Sequence, residues 1–100
     1  MIRGTTPTHT WVLPFDASLL KEVSITYMQN EEIIVKKTEE DCTMEGNKIS
    51  ITLTQEDTLK LEPKVRTTVQ LKVMTQNKSV MATKPKSISV SDVQDKEVWV

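Results

Sequence analysis

Apolar and polar residues alternate along this chain in short stretches, each closed by a turn that carries Asn or Gly. Val23, Ile25 and Tyr27 stand two residues apart, as do Ile49, Ile51 and Leu53, and Val69, Leu71 and Val73. That spacing puts side chains on one face of a strand. Residues 8–15 alternate in the same way, with His9, Trp11, Leu13 and Phe15 on one face and Thr8, Thr10 and Val12 on the other. Trp11 is the predicted large anchor of the core. Residues 22–28 and 32–38 form a first predicted hairpin that turns at Gln29 and Asn30, because Asn tolerates the left-handed conformation of tight turns. A second hairpin joins residues 42–44 to 48–54 through Gly46, the natural site for a positive φ.

Beyond this hairpin the alternation stops and resumes. Thr54, followed three residues later by Asp57, is close to a capping box and predicts one helical turn, with Leu59 and Leu61 closing the core beneath it. Pro63 ends that turn and hands over to the longest predicted strand, residues 65–75. Residues 76–78 turn the chain into residues 79–83, where Val80 and Ala82 are predicted to face inward. Lys84-Pro85-Lys86 is a charged break of the kind that protects a sheet edge. Ile88 and Val90 then form a last strand, or the continuation of one strand bent at Pro85. Residues 1–7 are predicted as an N-terminal arm and 94–100 as a C-terminal tail, both within a single domain of 1–100. About seven short strands joined by hairpins predict an all-β fold, a two-layer antiparallel sandwich of immunoglobulin-like type with one short helical turn. A small barrel buries alternate residues in the same way.

Composition narrows what such a domain does. With 4% aromatic residues, Val, Ile and Leu must build most of the core. The formal charge is −1, and neither half carries the clustered cations that track phosphates, so no nucleic-acid partner is expected. No apolar run approaches the ~20 residues that span a bilayer, and no secretory leader is evident; no membrane partner is expected either. Cys42 is the only cysteine, which rules out an intramolecular disulfide and fits synthesis in a reducing interior.

Chemistry is sparse. His9 is the only histidine, and general-base catalysis needs a positioned partner that the sequence does not specify. One His and one Cys cannot supply the four ligands of a structural zinc site. Glu39, Glu40, Asp41 and Glu45 lack the ladder of a calcium loop and read as a solvated turn. Two glycines leave no phosphate cradle. No catalytic residue, metal or cofactor is therefore predicted, and the chain reads as a non-enzyme.

Interaction is what remains. Trp99, flanked by Val98 and Val100, is a candidate anchor for a neighbouring molecule, and Thr5 and Thr6 of the Thr-rich arm are candidate contacts. Met28 and Ile34 give strands two and three a partly apolar outer surface. The opening Met-Ile-Arg-Gly-Thr-Thr-Pro-Thr-His-Thr-Trp-Val-Leu-Pro-Phe-Asp, the phrase Val-Ser-Ile-Thr-Tyr-Met-Gln-Asn and the corner Leu-Thr-Gln-Glu-Asp-Thr-Leu-Lys-Leu resemble small proteins encoded in prophages of Gram-positive bacteria. They are similar to the immunoglobulin-like N-terminal domains of phage baseplate upper proteins. The resemblance covers most of residues 1–75, and the segment after Thr83 carries little of it. It implies a virion component made in the bacterial cytoplasm and incorporated in the particle, with baseplate or other virion proteins, or further copies of itself, as partners. It carries over no functional residues. The rival expectation is a small module that binds carbohydrate or peptide on a sheet face.

Overall fold

Alternation becomes sheet where its apolar side meets a facing layer, and the computed structural model, which describes residues 1–100, supplies two such layers. In chain order the strands are β1 (Thr8–Val12), β2 (Leu20–Gln29), β3 (Glu32–Thr38), β4 (Cys42–Glu45), β5 (Lys48–Thr52), β6 (Thr67–Thr75), β7 (Val80–Ala82) and β8 (Lys86–Ile88). The short helix α1 (Gln55–Leu59) links β5 to β6, and 3-10 turns occupy Ala17–Leu19 and Glu39–Asp41. One sheet has the order β1-β5-β4. The other runs β3-β2-β6, with β7 and β8 both along the far side of β6. All pairings within the sheets are antiparallel. These are the B-E-D and C′-C-F-G orders of an immunoglobulin-type sandwich, with α1 at the corner between E and F.

The expected interior is present. Val23, Ile25 and Tyr27 from β2 and Val69, Leu71 and Val73 from β6 face Ile49 and Ile51 from β5 and the following Leu53, within a core of 14 buried residues. Each fully buried aliphatic contributes roughly 1.5–3 kcal/mol relative to exposure. The largest filler is Tyr27, 0% exposed, whereas Trp11 is only partly buried against the margin of the core. The correction follows from topology: β1 is an edge strand, so its inward side chains lack a neighbour on one side. β2, with ten residues, exceeds β6 with nine as the longest strand.

Two corrections of parity have identifiable causes. In β3 the pairings Tyr27↔Val35 and Met28↔Ile33 leave Ile34 as the extra residue of a bulge. Ile33 is thereby turned outward beside Met28, and Ile34 packs against the core instead. In β7, Met81 pairs with the buried Val73 and so shares its inward side, while Val80 and Ala82 pair with Met74 and Lys72 on the outer face. The bent-strand alternative at Pro85 is the one adopted. β7 and β8 flank β6 in one line, with one extra residue between the Lys72↔Ala82 and Val69↔Lys86 pairs. Thr83 bridges the break, its amide donating to Leu71 O at 2.9 Å and its hydroxyl accepting from Leu71 N at 3.1 Å.

The turns show how little glycine the chain uses. Gln29, predicted as a turn residue, is instead the buried last residue of β2. Its side-chain amide donates to Glu62 O and Thr67 Oγ1 and accepts from Glu62 N. The turn falls on Asn30 and Glu31, with φ of 52° and 62°, both positive as a type I′ turn requires. Gly46 takes φ 58° in the second hairpin, while Lys78 closes the third at φ 68° and Lys64 follows Pro63 at φ 63°. Left-handed backbone costs a residue with a Cβ roughly 1–2 kcal/mol. Lys78→Gly is therefore expected to raise the unfolding free energy by about 1 kcal/mol in urea titration. Gly46→Ala, whose new methyl would meet nothing within 4 Å, is expected to lower it by about as much. Equal midpoints for the two variants would contradict this reading of the turns.

Candidate functional site

The four predicted contact residues gather around α1. The arm is stitched to the segment after β8: Arg3 N donates to Ser91 O at 2.9 Å, Ser91 N to Met1 O at 2.8 Å, and the Met1 ammonium to Ser89 O at 2.9 Å. The Arg3 guanidinium reaches Leu59 O at 2.7 Å and Asp92 Oδ1 at 3.2 Å. Gly4, at φ 72°, lies where a Cβ would come within 3.4 Å of the Leu59 side chain. The Thr5 hydroxyl donates to Ile2 O at 2.6 Å, and Thr5 O accepts from Thr58 Oγ1 at 2.9 Å. Thr5 thus serves a local turn, and Thr6 is exposed beside it.

The tail is held differently. Gln55, the first residue of α1, donates from Nε2 to Trp99 O at 2.6 Å and accepts at Oε1 from Trp99 N at 2.8 Å. Both backbone groups of Trp99 are engaged, Val98 is half-buried, and the indole is 70% exposed. The α1 turn itself is secured by the predicted capping box. Thr54 Oγ1 accepts from Asp57 N at 3.1 Å, and Asp57 Oδ2 accepts from Thr54 N at 3.0 Å. Asp57 also pairs with Lys37 Nζ at 2.8 Å. Lys37 shares the strand parity of Val35, opposite the buried Ile25, and an inward charge on an edge strand discourages pairing with another chain.

Polar groups also meet between the sheets. His9 Nδ1 of β1 and Tyr27 Oη of β2 share a hydrogen bond of 2.5 Å, their rings 5.6 Å apart and tilted by 38°. Burial, then the terminal ammonium and Lys86, lowers the His9 pKa. Burial, then the neighbouring Cys42 and Asp57, raises that of Tyr27. The Cys42 thiol, directed at Thr38 O at 3.3 Å, is pushed up to about 11 by burial and by Asp41 and Glu39. A neutral imidazole joined to a phenol, near a thiol held protonated, satisfies buried polar groups and gives a nucleophile no activation. No group of three or more His, Cys, Asp or Glu side chains is placed to hold a metal ion.

At the opposite end of β1 the sandwich is open. Trp11, Leu13, Phe15, Leu71, Val73 and Met81 line an apolar cleft of about 140 Å³ between two edge strands, β1 and β7. Val12 and Met81 are exposed along it, and Leu19 is exposed beside it. A second depression continues past Pro14, Phe15 and Leu19 to the turn at residues 76–79. Gln55 as the holder of Trp99 was not legible from spacing, because a lone Gln has no pattern. Lys37, in contrast, breaks the apolar parity of Val35, a signal that an inward partner was needed.

No family model, curated protein or solved structure matches this chain. Its class is therefore defined by its own geometry, an immunoglobulin-type β-sandwich with Trp99 exposed beside α1 and an apolar cleft between β1 and β7.

The polar pairs set a pH dependence. A histidine whose pKa is lowered on folding stabilises the native state above its ordinary 6.5 and ceases to do so as pH falls below it. For Asp57 burial acts to raise the pKa but is outweighed by Lys37 and by the Thr54 amide and hydroxyl, so its pKa lies below the ordinary 3.8. Its contribution is complete above that value and is lost as pH falls through the folded pKa. Urea unfolding measured across pH is expected to show both losses. His9→Gln flattens the loss below about 6.5, and Asp57→Asn costs about 2 kcal/mol at pH 7 while flattening the lower one. Variants with the full acid dependence of the parent would show that neither group is linked to folding.

Proposed function

We propose that the chain is a non-enzymatic docking module, a structural or assembly component of a phage or prophage particle that works by binding baseplate, tail or other virion proteins. The observation that carries this reading is the position of its exposed apolar side chains. Trp99 stands on a backbone fixed by Gln55, and the exposed Val12 and Met81 line a cleft between two sheet edges, with the exposed Leu19 in the depression that adjoins it. Exposed aromatics and aliphatics on ordered elements are the usual anchors of protein interfaces. The resemblance of the opening and of the corner before β6 to prophage-encoded proteins supplies the setting.

Binding of a small molecule is the less favoured reading. The cleft is lined mainly by apolar side chains and offers few of the convergent polar groups that orient a ligand.

The test is incorporation. Particles released from the encoding bacterium by prophage induction, purified on a density gradient and examined by mass spectrometry, are expected to contain the chain at a fixed ratio to the major particle proteins. Its absence from intact particles would overturn the proposal.

A further inference from the structure

The geometry points to a second copy of this chain as the occupant of the cleft between β1 and β7, with Trp99 of one molecule as the anchor and the cleft of the next as its socket. This rests on the docking reading above and names its partner.

The anchor is prepared in advance. Gln55 fixes both the N–H and the C=O of Trp99, leaving the indole 70% exposed. Insertion of such a side chain orders little new backbone, which lowers the cost of association. It also removes from water much of the roughly 150–250 Å² an aromatic residue carries. The socket is lined by Trp11, Leu13, Phe15, Leu71 and Val73, with Met81 at its mouth. Met81 is 40% exposed, and its unbranched thioether chain adapts to an incoming ring.

The register places anchor and socket apart within one molecule. Leu53 N donates to Pro7 O at the α1 end of β1, and Leu13 N donates to Asn47 O at the other end. The five residues of β1 lie between, at roughly 3.3 Å each. While Gln55 holds Trp99, the indole reaches only a neighbour's cleft. Contact between unlike ends is head-to-tail, and its repetition builds a ring or a filament rather than a closed pair.

Charge agrees with this pairing. In residues 92–100 Asp92 already pairs with Arg3 and Lys96, which leaves Asp95 and Glu97 as the unpaired charges of the tail. Residues 76–84, which form β7 and the turns at either end of it, carry Lys78 and Lys84 and no acidic residue. Opposite signs steer the tail of one molecule to the socket wall of the next, and salt screens the effect. A contact centred on one aromatic buries less than the ~1,200 Å² of a stable interface, so each junction is weak and depends on repetition.

Sedimentation velocity on the whole chain, from about 10 μM to about 1 mM, tests the pairing. The expected result is a mass that rises with concentration and falls with added salt. Trp99→Ala retains only the socket and Met81→Glu only the anchor. Each variant, folded by circular dichroism, is expected to stay monomeric, and their mixture is expected to form a one-to-one pair and nothing larger. A wild-type chain that stays monomeric throughout, a variant that assembles like wild type, or a mixture that forms no pair would each overturn the inference. A chain that is monomeric in solution yet present in purified particles would refute the copy-to-copy contact alone, whereas absence from particles would refute the docking reading itself.

Discussion

Two sheets with no covalent link between them are held by the side chains pressed into the space they share. Cys42 is the only cysteine, so the bridge that joins the sheets of many immunoglobulin-type domains has no counterpart here. Tyr27 takes the middle of the layer instead, 0% exposed, on the strand where such domains carry a buried aromatic. Its hydroxyl would cost about 1–3 kcal/mol if left unpaired. His9, reaching from the other sheet, satisfies it.

The rest of the structure follows from how that interior is closed at its margins. At one end α1, its capping box and the stitched arm cover the core, and the Lys37–Asp57 pair ties the edge strand β3 to the same corner. Gln55 extends this corner to the tail. At the other end no segment lies between β1 and β7, so Trp11, Phe15 and Met81 stay accessible. The asymmetry between a sealed end that presents an aromatic and an open end that presents a cleft underlies both the proposed function and its extension.

Much of this was legible from residue spacing. Period-two alternation identified the inward sets of β2, β5 and β6, Gly46 marked its turn, and Thr54 with Asp57 marked the cap, because each depends on local geometry. Spacing failed where one residue changes parity. The Ile34 bulge turned Ile33 outward, and the assignment of Val80 and Ala82 as inward missed that β6 pairing makes Met81 the core-facing residue. Trp11 was overvalued because edge position is a property of sheet order and not of sequence. Of the predicted contacts, Trp99 is exposed on an ordered backbone, while the Thr5 hydroxyl is committed to the turn of the arm. The cleft was invisible in the sequence, since its lining comes from residues near 11–15, 71–73 and 81–83, which only the assembled sandwich brings together.

Native-state hydrogen exchange tests the shared interior most directly. If burial between the layers is what holds both sheets, the amides of Ile49 and Ile51 exchange with the same free energy as those of Ile25 and Leu71, through a single global opening. Exchange of the β1-β5-β4 sheet at a markedly lower free energy, with β2 and β6 still protected, would show that the larger sheet stands without its partner and would contradict the account.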